Sequence, residues 1–112
     1  MTPAPSMPTP KRVAPPKVKP LQVGKLRFEA IHWGRERGLG QNGGYIAAFY
    51  ADSGKELWIL KVYDITYDDK MEEDVQDLFI KSLKADKDGL LVTDEDGGRY
   101  AVDLESRSVK RL

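Results

Sequence analysis

Apolar and polar residues alternate through most of the chain after residue 20. In "KLRFEAIHW", Leu26, Phe28 and Ala30 fall on one side and Arg27 and Glu29 on the other, the period of a half-buried strand. "YIAAFYA" and "ELWILKVYDI" read as two further strands joined by "DSGK", where Gly54 can take positive φ. In the second of these, Trp58, Leu60 and Val62 share the inner face, which buries Trp58 and turns Lys61 outward. The last third alternates again, as "IKSLKAD", "LLVTDED", "RYAVDLES" and "SVKRL", with Asp88-Gly89 and Asp96-Gly97 as tight hairpin turns.

One segment changes period. In "DDKMEEDVQDLFI", Met71, Val75, Leu78 and Phe79 recur at helical spacing. Asp69 and Glu72 are placed as a capping box, acids crowd the first turn, and Asp74 and Asp77 should face water. The pattern predicts a mainly β, β-rich α+β domain. It has six to seven antiparallel strands in a meander or small barrel-like sheet, with one short helix over 69–80.

Composition moves the domain boundary. All seven prolines lie within residues 1–20, together with Lys11, Arg12, Lys17 and Lys19 and without any acid or aromatic residue. Proline has no amide donor and a fixed φ, so the expectation is a disordered, partly polyproline-II basic arm over 1–20 and one globular domain over 21–112. The chain's 18 basic and 18 acidic residues balance, but removing the arm's four cations leaves fourteen against eighteen, a body of net −4. Such a body is poorly suited to neutralising phosphates, which excludes nucleic acid as the expected partner. No segment has the length and apolarity of a signal peptide or membrane span, and cysteine is absent. These features point to a cytoplasmic protein without disulfide or thiolate chemistry. Oligomeric state is not legible.

Candidate chemistry concentrates in the glycine-rich loop Gly34–Gly44, whose Gly38, Gly40 and Gly43 form a G-x-G-x-x-G string. A dinucleotide fold needs a helix after that string, whereas "GYIAAFYA" has strand composition. The layout of glycine loop, strands and Lys61 is closer to a kinase lobe, with Glu72 or Glu73 to follow, but no H-R-D or D-F-G string follows. "DKDGLLVTDEDG" puts Leu90 and Leu91 where calcium ligands would stand, and His32 is the lone histidine. Seven acids between Asp64 and Asp77 fit a solvated face rather than a metal site. No catalytic residue, cofactor or metal site is expected.

The window "AFYADSGKELW", Ala48 to Trp58, resembles the blade signature of quinoprotein-type (PQQ-like) β-propeller repeats at Ala48, Ser53, Gly54, Lys55 and Trp58, with Tyr50 in place of the aspartate. A weaker copy, "AVDLESRSVKR", starts 53 residues later and keeps Ala101, Asp103 and Ser106. The resemblance implies a strand, a glycine turn and a strand anchored by the tryptophan. It brings no cofactor, because the family's quinone-binding parts have no counterpart here.

The expected function is therefore a non-catalytic protein-interaction module, its partner-binding residues being Trp33, Arg35, Arg37, Gln41 and Asn42. The alternatives are a small-ligand or nucleotide-binding domain using the same loop, and a hydrolase built on scattered carboxylates.

Overall fold

A computed structural model describes residues 14–67, 76–87 and 89–112. Eight strands form two four-stranded antiparallel sheets rather than the single sheet or barrel expected. Leu21–Val23 (β1), Leu26–Ile31 (β2), Tyr45–Tyr50 (β3) and Glu56–Lys61 (β4) make the first sheet, in that order. Ile80–Asp86 (β5), Gly89–Asp94 (β6), Arg99–Asp103 (β7) and Val109–Arg111 (β8) make the second. Mainly β is correct. The extra strand is β1, whose three residues are too few to show alternation and which is fixed by pairing Leu21 with Phe28 and Val23 with Leu26.

The two sheets repeat one plan. In each, the first two strands turn over two residues, with Val23 opposite Leu26 and Asp86 opposite Gly89. The hairpin joining the last two strands recurs with matched bonds at an offset of 53. Tyr50 N–H donates to Lys55 O at 2.9 Å, as Asp103 N–H does to Ser108 O at 2.9 Å. Lys55 N–H donates to Ser53 Oγ at 3.2 Å, and Ser108 N–H to Ser106 Oγ at 3.3 Å. Gly54 sits at φ 75°, and Arg107, its counterpart, is the one non-glycine at positive φ among the described residues, at 58°. The second turn thus retains the left-handed geometry after losing the glycine, and the Arg107 guanidinium lies 5.3 Å above the Trp58 ring.

One core lies between the sheets. Directly opposed residues share a face, so Phe28, Ala48 and Trp58 are one row of the first sheet and Val92 and Tyr100 are opposed in the second. Phe28, Ile46 and Ala48 pack with Leu83, Leu90, Val92, Tyr100 and Val102. Trp58 is only half-buried there, against Phe28 at 6.0 Å, because Arg107 rather than more core covers its outer side. Lys61 faces away, opposite Tyr45, and pairs with Asp64.

Hairpin correspondence matches Phe49 with Val102, yet Val102 points into the core whereas Phe49 points out of it. The sheets are therefore stacked front to back, as in a repeat array, rather than facing each other as mirror layers. The outward face of the first sheet, equivalent to a buried face of the second, carries its own cluster. Ile31, Tyr45 and Ala47 are buried there, with Leu39, Phe49 and Ile59 against them.

Two further expectations change. Of the helix expected over 69–80, residues 69–75 lie outside the described residues; Gln76 is in a turn, Leu78 and Phe79 are irregular, and Ile80 opens β5. Asp77 is buried instead of facing water. Part of the proline-rich segment also makes contacts. Val18 packs on the core and the Pro16 carbonyl accepts a 2.7 Å hydrogen bond from His32 Nε2, so the packed chain begins within the proline-rich segment. Residues 1–13 lie outside the described residues.

Candidate interaction surface

The two units differ most in their middle connection. Four residues, 95–98, join β6 to β7, where the Asp94 carboxylate closes the turn by accepting from Asp96 and Gly98 N–H at 2.9 and 2.8 Å and from the Tyr100 hydroxyl at 2.7 Å. Thirteen residues, 32–44, join β2 to β3. A loop of that length inside a compact domain needs its own structure, and this one has it.

Gly34–Arg37 form a single 3-10 turn ended by Gly38 at φ 81°, and Leu39 N–H returns to Gly34 O at 2.9 Å. Leu39 thereby drops onto the outward cluster of the first sheet. Gly34 N–H donates to Asn42 O at 2.9 Å and closes the loop. A side chain at Gly34 would overlap the Gln41 carbonyl, and one at Gly43 would overlap the Leu78 carbonyl. Close backbone approach, not a phosphate, explains these two glycines. Lys61 is held by Asp64 and is aimed at no amide cradle.

Gln41 is an interior residue. Its amide donates to Gly43 O and Tyr63 O, both at 2.8 Å, and its carbonyl accepts Ile65 N–H at 2.9 Å. All the bonds a buried amide must make are made inside the fold. Asn42 is half-buried and serves the same purpose: Oδ1 accepts Arg35 N–H at 3.2 Å, and Nδ2 donates to Asp77 Oδ2 at 3.0 Å. The other Asp77 oxygen accepts from the Tyr67 hydroxyl.

Three expected residues do reach solvent. Trp33 is 45% exposed, its ring edge-on to Phe79 at 5.5 Å, and His32 meets the same Phe79 ring at 5.0 Å. The Arg35 guanidinium lies 4.7 Å over the Tyr67 ring. Arg37 is tied to Glu56 at 2.6 Å across the outward face of the first sheet. Trp33 and Arg35 thus both reach solvent from a braced loop, against Phe79 and Tyr67 respectively, with Arg37 displaced toward β4. Tyr67, Asp77 and Phe79, which support these side chains from the protein side, escaped the sequence reading as members of the site. Phe79 carried an apolar signal, but as part of a helical stripe.

Beside Phe79 lies a hollow of about 460 Å³ lined by Asp64, Asp77, Glu95 and Asp96 with Ile65, Thr66 and Leu78. Among the described residues, no three His, Asp or Glu side chains converge as a metal site. Nor is any described helix long and apolar enough to cross a membrane.

The perturbed acids are tyrosines. Burial, then the hydrogen bond to Asp77, pushes Tyr67 up to about 12; burial, then the hydrogen bond to Asp94, pushes Tyr100 up to about 12. Burial also raises Tyr63, which stacks on Tyr100 at 5.0 Å and donates to Leu78 O at 2.6 Å. A group whose folded pKa lies above its unfolded value contributes stability below the unfolded value and loses it as pH rises through the folded one. The expected result is full stability up to about pH 10 and an unfolding transition between about 10 and 12 that coincides with tyrosinate absorbance. Tyrosine titration near pH 10 with retained circular dichroism would contradict it.

No family model matches the chain, and no curated protein and no solved structure matches it.

Proposed function

We propose that the protein is a non-catalytic interaction module that binds another protein through Trp33 and Arg35 on the braced loop 32–44. The observation that carries this reading is internal to the chain. Two units share two hydrogen bonds and the left-handed residue of their last hairpin at one offset, and the long loop that departs from the common plan holds an exposed tryptophan and an arginine at its surface. Tryptophan and arginine are the side chains most often found as interface anchors, and a rigid loop gives up little entropy on binding. The same repetition supports a relation between each sheet and a propeller-type blade, with the long loop capping the first unit where a preceding blade would stack. The charge-rich, cysteine-free body fits a cytoplasmic setting.

The test is capture from the native host with Trp33→Ala and Arg35→Ala as baits. Each is expected to retain the wild-type melting temperature within a few degrees and to lose the captured partner. Tyr50→Ala, at an aromatic residue equally exposed (44%) at the far end of the first sheet, should keep it. A partner that survives both loop substitutions would overturn the assignment.

A further inference from the structure

We propose that the protein pairs with a second copy of itself through the free edge of β4, two antiparallel β4 strands joining the first sheets across a twofold axis at Ile59. The inference is independent of the Trp33 and Arg35 reading. Two separate sheets have four edges. An edge strand offers a row of unpaired amides and carbonyls, which folded proteins blunt with short strands, lysines or a covering element. Three of the four edges are blunted. β1 has three residues and lies against β5, which itself carries Lys81 and Lys84. β8 has three residues, two of them Lys110 and Arg111. β4 is the exception. It has six residues, and Leu57 to Leu60 are four apolar side chains in succession, none of them buried.

The phase of the ladder shows which backbone groups of β4 are free. Val62 N–H donates to Gly44 O at 2.6 Å, and bonding alternates along an antiparallel strand. Leu60 and Trp58 therefore bond to their partners Ile46 and Ala48, while Ile59 and Lys61 aim N–H and C=O away from β3. Among the described residues, no backbone bond outside the ladder reaches Ile59 or Lys61. The bulge at Ala48 and Phe49 displaces Leu57, so the regular edge begins at Trp58.

A second copy fits this edge because the edge is complementary to itself. Antiparallel pairing centred on Ile59 sets Ile59 against Ile59 of the second copy and Trp58 against its Leu60, so that opposed residues share a face. A slip of one residue would oppose residues from different faces. Trp58 and Leu60 border the core between the sheets, and Ile59 borders the outward cluster of the first sheet, so both apolar faces continue across the axis. Lys61 arrives beside the Glu56 of the second copy. The pairs Lys61–Asp64 and Arg37–Glu56 thereby join into a row of alternating sign at each end of the contact. Such a contact is isologous: it uses both free edges and closes at two chains instead of running on into a fibre.

The test is sedimentation equilibrium of the full chain from low micromolar to near-millimolar concentration, with amide exchange measured at both extremes. The expected result is a monomer that passes into a dimer. The amides of Ile59 and Lys61 should slow about tenfold or more with concentration, while that of Leu60, bonded within its own sheet, stays unchanged. Ile59→Pro removes only a free edge donor, and Ile59→Lys leaves the backbone intact. Each is expected to keep the wild-type circular dichroism and to remain monomeric. If either variant fails to fold, the wild-type exchange pattern decides alone. A chain that stays monomeric throughout would overturn the proposal. So would a dimer whose Ile59 and Lys61 amides exchange as freely as in the dilute protein, or one that persists in the folded variants. Trp33→Ala should dimerise as the wild type does; loss of the dimer in that variant would place the second copy on the loop and overturn the assignment to β4.

Discussion

Phe28→Ala is expected to unfold the protein at ambient temperature. The ring is fully buried at the centre of the first sheet, opposite Ala48 and against Trp58. Truncating a buried phenylalanine costs about 3–5 kcal/mol. A domain this small holds roughly 0.05–0.15 kcal/mol per residue in total, so the loss is comparable with the whole. Trp58→Ala should cost about 2 kcal/mol, less than a core aromatic usually does, because the indole is only half-buried and Arg107 lies over one of its faces. Urea titration of both variants checks the order. A larger loss at Trp58 than at Phe28 would mean that the front-to-back packing of the sheets is wrong.

Gln41→Leu should cost about 3 kcal/mol although it adds apolar surface. Leucine nearly matches the volume but leaves the carbonyls of Gly43 and Tyr63 and the amide of Ile65 buried without partners. Each stripped group costs about 1–3 kcal/mol, partly relieved by relaxation of the loop. Asn42→Ala, at a half-buried position, should cost about 1 kcal/mol. Chemical denaturation gives both values, and a neutral Gln41→Leu would show that the loop is not braced from within. The same variant separates bracing from contact: Trp33 and Arg35 are retained, yet their arrangement is lost.

Strand alternation and turn dipeptides were readable because each depends on neighbours a few residues apart. Phe28, Ala30 and Val62 announced their faces, and Gly54 and Gly97 announced their turns through the need for positive φ. Pairing of neighbouring strands was readable from the turns, but the division into two sheets and the packing of one on the other were not, since period 2 says which face is buried but not against what. The helix expectation failed at Leu78 and Phe79 for the same reason. Their helical spacing was real, but Phe79 is held by His32 and Trp33, and Ile80 by the ladder to Asp94. The loop was half legible. Glycine content marked it, and Trp33 and Arg35 stood out as anchor types. Gln41 and Asn42 looked like solvent-facing polar residues, because nothing in composition distinguishes an amide that faces water from one that ties two segments together. The segments tied here, at Tyr63, Ile65 and Asp77, lie 22 to 35 residues away in the chain.

The most direct measurement of the account is photocrosslinking in the native host, with p-benzoylphenylalanine placed at position 33 or at position 50. The two sites match in chemistry and exposure but lie at opposite ends of the first sheet, so non-specific capture should label both. The account predicts a discrete protein adduct at position 33, absent at position 50 and lost when Arg35→Ala is added. An adduct at 50 without one at 33, or equal labelling at both, would contradict it.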